Sequence, residues 1–151
     1  MLGFVKYWMP TLVWMALIFI GSTDVLSAEH TSRFLVPFLR WFDPHISWAT
    51  LNALQMAIRK LGHLTEYGIL AALLWRGLRG GTQWPRKMST LLGVVLIGCA
   101  IFAASDEFHQ SFIASRSSSV HDVIVDICGA VTGLLICVAV SGRKAVKEKR
   151  A

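Results

Sequence analysis

Residues 56–75 read MAIRKLGHLTEYGILAALLW: a segment of helix length with Arg59, Lys60, His63 and Glu66 in its first eleven residues and no charge after them. In hydrocarbon an ionisable side chain costs several kcal/mol unless it is paired or wetted, so such residues mark a site or a paired network. At 3.6 residues per turn, Arg59, His63, Glu66 and Tyr67 fall at i, i+4, i+7 and i+8, and Lys60 joins the same face. Leu61, Leu64, Ile69 and Leu73 lie elsewhere. At 1.5 Å per residue, Glu66 sits about 15 Å from Arg76, near a bilayer midplane. A segment built this way can cross a membrane only if other helices cover its polar face.

The rest of the chain supplies those helices. Its 151 residues are 54% hydrophobic and 16% charged, where a soluble domain carries about 25% charge, and the mean hydropathy is +0.55. The apolar residues come in blocks, which predict further spans at about 7–23, 88–105 and 120–142. The opening stretch resembles a signal peptide, yet no A-x-A-like site follows it and Trp8 and Trp14 interrupt it, so it reads as a retained span with Pro10 in its first turn. Between the first two spans, TSRFLVPFLRWF at 31–42 sets Arg33 and Arg40 among aromatic and aliphatic residues, as suits a segment in the membrane interface, although Pro37 argues against a continuous helix. Asp43-Pro44 reads as an N-cap and first helical residue. Gly129 and Gly133 form a G-x-x-x-G that permits close helix contact.

Charge sets the orientation. The 76–87 connection holds Arg76, Arg79, Arg86 and Lys87 without an acid, and the tail after Gly142 holds five basic residues against Glu148. By the positive-inside rule both termini are cytoplasmic. The expectation is an all-α, single-domain protein (1–151) with four transmembrane helices. The net charge of +6 brackets apolar segments and forms no nucleic-acid motif. Cys99, Cys128 and Cys137 lack a CxxC or paired framework and read as small buried hydrophobes.

This topology brings every carboxylate except Glu148 to the outward end. Asp122 and Asp126 share a helix face at i, i+4, and Asp106, His109 and Gln110 share one at i, i+3, i+4. Asp126 stands about 25 Å from Arg143, in the outer part of the membrane. Four chemistries fit this set. The first is a structural network in which Lys60 and Arg116 neutralise acids, with Lys60 facing Asp126. The second is acid–base catalysis by His63 or His109, oriented by Glu66 or Asp126. The third is a divalent metal held by His63, His109 and carboxylates such as Asp106, though no HExxH-like spacing occurs. The fourth is an anionic headgroup held by Arg59, Lys60 and Arg116. There is no GxSxG or phosphate loop. His30, His45 and His121 read as interfacial, and Asp24 and Asp43 as caps.

KLGHLTEYGILAALL at 60–74 resembles the K-x-x-H-x-x-E-Y signature of VanZ-like membrane proteins. SDEFHQSFIASRSSSVHDVIVDICGA at 105–130 is similar to their second block, and WMALIFIGS at 14–22 completes a resemblance that covers nearly the whole chain. The positions carried over are Lys60, His63, Glu66, Tyr67, Asp106, Glu107, His109, Gln110, Arg116, Asp122, Asp126 and Gly129. Ala114-Ser115 stands where many members have Pro-Gly. The resemblance implies a multi-pass protein of the bacterial cytoplasmic membrane, in a family associated with teicoplanin resistance, and it implies no reaction or obligate cofactor. The expected action is at the outer face, on a membrane lipid, a lipid-linked envelope precursor or a glycopeptide. It proceeds by binding or structural action, through Lys60, Tyr67, Asp106, Glu107, Gln110, Arg116 and Asp122. The alternative is a membrane enzyme using His63, Glu66, His109 or Asp126.

Overall fold

The computed structural model describes residues 2–23, 28–81, 87–113 and 119–148. They form five helices: α1 (Leu2–Gly21), α2 (Ala28–Phe42), α3 (Trp48–Gly81), α4 (Met88–Gln110) and α5 (Val120–Glu148). Three contain segments long and apolar enough to cross a membrane: Gly3–Gly21, Met88–Gln110 and Val120–Gly142. These match three of the expected spans, the one that begins at Met88 running on to Gln110 through the acidic SDE block. The fourth, 56–75, lies inside α3, whose charges keep it out of that class. Leu12, Leu17, Ile97, Ile101, Ile124, Leu135 and Ile136 are exposed. The bundle therefore turns an apolar surface outward, as lipid-facing helices do.

The 34 residues of α3 extend about 51 Å, and every other helix packs on it, α4 packing on α5 as well. The expected cap at Asp43-Pro44 is corrected. Asp43 Oδ1 accepts the His45 N–H at 3.0 Å, and the Ile46 N–H returns to the Asp43 carbonyl at 3.2 Å, closing one turn that goes no further. The helix starts after Ser47, whose Oγ accepts the Thr50 N–H at 3.1 Å.

Both prolines sit inside helices, against expectation. Pro37 lies within a continuous α2, whose Phe34, Phe38, Trp41 and Phe42 are exposed. The Arg40 guanidinium stacks 4.5 Å over the Trp48 ring and ties α2 to the start of α3. Pro10 is not in a first turn, because α1 begins at Leu2. Its missing N–H frees the Lys6 carbonyl four residues earlier. Arg76 at the far end of α3 donates to that oxygen at 3.1 Å, so a side chain 70 positions away replaces the lost helical bond. The same guanidinium lies 5.4 Å from the Tyr7 ring centroid. Nearby, Tyr7 and Trp8 fill the space left by Gly80 and Gly81, and Arg79 donates to Ser141 Oγ at 3.2 Å.

The α3–α5 contact is made by backbone. A Cβ on Gly129 would overlap the Leu64 carbonyl, and one on Gly133 would overlap the Gly68 carbonyl. Without a hydrophobic driving force between helices in lipid, such close approach supplies the packing energy. Gly68 completes the seam from the α3 side, 3.3 Å from the Gly129 oxygen if it carried a Cβ. The apolar core then runs through Leu70, Ala71, Trp75, Val95, Cys99, Ala103, Ala130 and Leu134. Cys99 is buried as expected, whereas Cys128 is exposed.

Candidate functional site

The end of the bundle opposite Arg76 and Arg79 gathers the polar residues of four helices, and each buried carboxylate takes its partner from another helix. His63 Nδ1 on α3 lies 3.0 Å from Asp126 Oδ1 on α5. Ser22 Oγ, one residue past α1, donates to Asp106 Oδ2 on α4 at 2.6 Å, and Gln110 Nε2 donates to the same oxygen at 3.0 Å. Arg59 Nη2 reaches Asp122 Oδ2 at 3.4 Å and Gln110 Oε1 at 3.5 Å. Glu107 Oε2 accepts the Ser119 N–H at 2.8 Å, where Ser119 is the residue before α5, so this carboxylate holds the start of one helix to the end of another. Trp14 Nε1 on α1 donates to the Glu66 carbonyl at 2.9 Å. Removing one member of such a pair leaves the other desolvated and unmatched, which is why the set acts as a unit.

Beside this network is a cavity of about 190 Å³. α1 and its end contribute Gly21 and Ser22, α2 contributes Thr31 and Leu35, and α3 contributes Gln55, Ile58, Arg59, Gly62, His63 and Glu66. Its wall therefore carries a guanidinium, a carboxylate and an imidazole. The volume is below the ~300–1,000 Å³ of pockets that enclose drug-sized ligands.

The expected site residues divide by depth. His63 and Glu66 line the cavity. Tyr67, Asp106, Gln110 and Asp126 are at most 2% exposed and stand behind its wall; the Tyr67 hydroxyl, Asp106 Oδ1 and Asp126 Oδ2 have no hydrogen-bond partner among the described residues. Asp122 is partly exposed and engages Arg59. Lys60 is exposed and makes no ion pair with Asp126, whose partner is His63; the expected Lys60–Asp126 pairing is thus corrected. His109, three residues from Asp106, does not line the cavity; its ring lies 4.1 Å from that of Phe19, tilted against it, and its Nδ1 is buried with no partner among the described residues. Among the described residues no three His, Cys, Asp or Glu side chains are placed to hold a metal ion, so His63, His109 and Asp106 do not converge as a ligand triad. Arg116, Ala114-Ser115 and Asp24 lie outside the described residues. His45 and His121 are exposed at this same end.

Three contributors were missed or undervalued in the sequence. Ser22 closes the WMALIFIGS block, and that was its only signal. Arg59 neighbours the motif lysine and takes the cavity position expected of it. Gln55 precedes the expected span and becomes legible only because α3 begins at Trp48.

A helical bundle with an apolar exterior, a paired polar network at one end and a cavity beside it defines a membrane protein with its chemistry at one end. The family model for VanZ/LLP1 matches residues 7–141, and the chain belongs to this family. Searches of curated proteins and of solved structures find no match.

Proposed function

We propose that this VanZ/LLP1 family protein binds the polar head of a cell-envelope lipid, or of a lipid-linked envelope precursor, at the outer face of the bacterial cytoplasmic membrane. On this reading α3 is the fourth span, both termini are cytoplasmic and the action is binding, not turnover. The observation that carries it is the cavity shared by α1, α2 and α3, with Arg59, His63 and Glu66 in its wall. Those groups lie where a span could not hold them without partners or a polar ligand. The family's association with teicoplanin resistance then follows from changed access of the drug to envelope lipids. The test is native mass spectrometry of detergent-purified protein. A retained lipid in wild type that is lost in Arg59→Gln supports the reading, and a protein that carries no ligand and gains none from envelope lipid extract refutes it.

A second reading, a membrane enzyme on a lipid-linked substrate, is favoured by one contact. His63 lines the cavity while its Nδ1 meets a buried carboxylate, the relation of a base to its orienting acid. Of the two expected histidines, His63 is the one this contact favours. His63→Gln would then abolish turnover and leave ligand binding nearly unchanged. Parallel loss of binding and function, with no turnover by wild type, excludes it.

A further inference from the structure

We infer that the cavity and the hollow beside it form one amphiphile site, in which Arg59 receives a lipid phosphate and one face of α2 receives the chain. This rests on the reading that the cavity binds an envelope ligand, and it names that ligand's class. A second hollow of about 350 Å³ lies on α2, lined by Thr31, Phe34, Leu35 and Phe38. Thr31 and Leu35 belong to both walls, so the polar and apolar spaces adjoin. The four residues of the second hollow are spaced i, i+3, i+4, i+7, one helix face, and Phe34 and Phe38 are exposed. A ligand with a charged head and a hydrocarbon chain matches this succession; a wholly polar one leaves the aromatic half unused.

The head is a phosphate ester because of the cation in the cavity wall. Arg59 Nη2 touches Asp122 and Gln110 only at the outer limit of hydrogen bonding, 3.4 and 3.5 Å, and its Nε is buried with no partner among the described residues. A guanidinium held in place with an unmatched donor is suited to an oxyanion, which it can take in a forked geometry. The class is therefore a phosphate-ester lipid.

The experiment titrates purified protein in non-ionic detergent with three probes, read by native mass spectrometry: dioctanoyl phosphatidylglycerol, its deacylated head glycerophosphoglycerol, and neutral dioctanoylglycerol. Wild type should bind the phospholipid at least about tenfold more tightly than either fragment, over dioctanoylglycerol through the charge-assisted contact and over the deacylated head through burial of the chain. Arg59→Gln should remove the advantage over dioctanoylglycerol without weakening dioctanoylglycerol itself, and Arg59→Lys should keep part of it. Phe34→Ser combined with Phe38→Ser should lower phospholipid affinity to that of the head alone, with thermal melting confirming that each variant is folded. If the deacylated head binds as tightly as the lipid and the Phe34/Phe38 variant is indifferent, the chain is not on α2; this inference falls and the cavity reading stands. If the phospholipid binds equally to wild type and every variant, it is annular lipid and the inference is overturned. If no probe binds, the inference is likewise overturned, and the retained-ligand measurement decides the cavity reading separately.

Discussion

His63 and Asp126 meet at 3.0 Å across the α3–α5 seam, with one turn of helix separating Asp126 from Gly129 below it. The seam brings the two backbones so close that an imidazole from one helix reaches a carboxylate on the other without a long side chain. The pair should behave energetically as a unit. A double-mutant cycle of His63→Gln and Asp126→Asn, read as thermal stability in detergent, should give a coupling of at least about 1 kcal/mol, above the ~0.6 typical of interhelical hydrogen bonds in membranes because a buried carboxylate is involved. The cycle of Lys60→Met with Asp126→Asn should be additive. Coupling to Lys60 in place of His63 would overturn the assignment.

Ser22→Ala removes the 2.6 Å hydroxyl donation to Asp106. A hydrogen bond to a charged group contributes about 1.5–3 kcal/mol, and the loss should be of that size. Ser105→Ala, at an exposed position one residue from Asp106, should change melting little. Equal effects would show that Ser22 does not hold Asp106.

Gly129→Ala places a methyl into the Leu64 carbonyl. Backbone cannot step aside as a side chain can, so overpacking should cost at least about 1–3 kcal/mol. Gly93→Ala, with nothing within 4 Å of the added atom, should be tolerated. Unfolding midpoints of the two variants in detergent make the comparison, and similar values would mean that the helices are not in backbone contact.

Arg76 and Pro10 should be coupled through the Lys6 carbonyl. In the wild-type background Arg76→Met leaves that oxygen without its donor. In a Pro10→Ala background the restored N–H can bond it, so the same change should cost less, by about 1 kcal/mol. Stability measurements on the two singles and the double decide this, and equal costs in both backgrounds would remove the compensation.

Orientation is checked by reporters. An alkaline phosphatase fused after Ile113 should be active, and one fused after Gly81 inactive. The reverse pattern would put the cavity on the cytoplasmic side and remove the envelope-facing proposal.

Much of this arrangement could be read in advance. The starts of α4 and α5 follow from uninterrupted apolar blocks, although both helices run on past them into charged sequence, and the charge pattern brought His63, Asp106, Asp122 and Asp126 to one end. What failed depended on partners distant in sequence. Pro10 and Pro37 look like helix boundaries locally, and in the case of Pro10 the oxygen it frees is matched by a residue of another helix. Asp43 and Ser47 are both good caps, and the Asp43 carboxylate is spent on closing a single turn. Lys60 and Arg59 differ by one position, about 100° around a helix, so whichever faces the cavity is fixed by how α3 rotates against Gly129 and Gly133. His109 was placed by spacing alone, which cannot register an aromatic neighbour such as Phe19.

The glycine seam also has a mechanical meaning. Two helices touching along their backbones have no side chains between them that could change rotamer and let them slide, so α3 and α5 form a stiff two-helix plate. The cavity meets that plate on one side only, through α3; its other walls are α2 and the last turn of α1. Ser22 and Trp14 tie α1 to α4 and α3, so any widening of the cavity is left to α2 moving against a fixed wall.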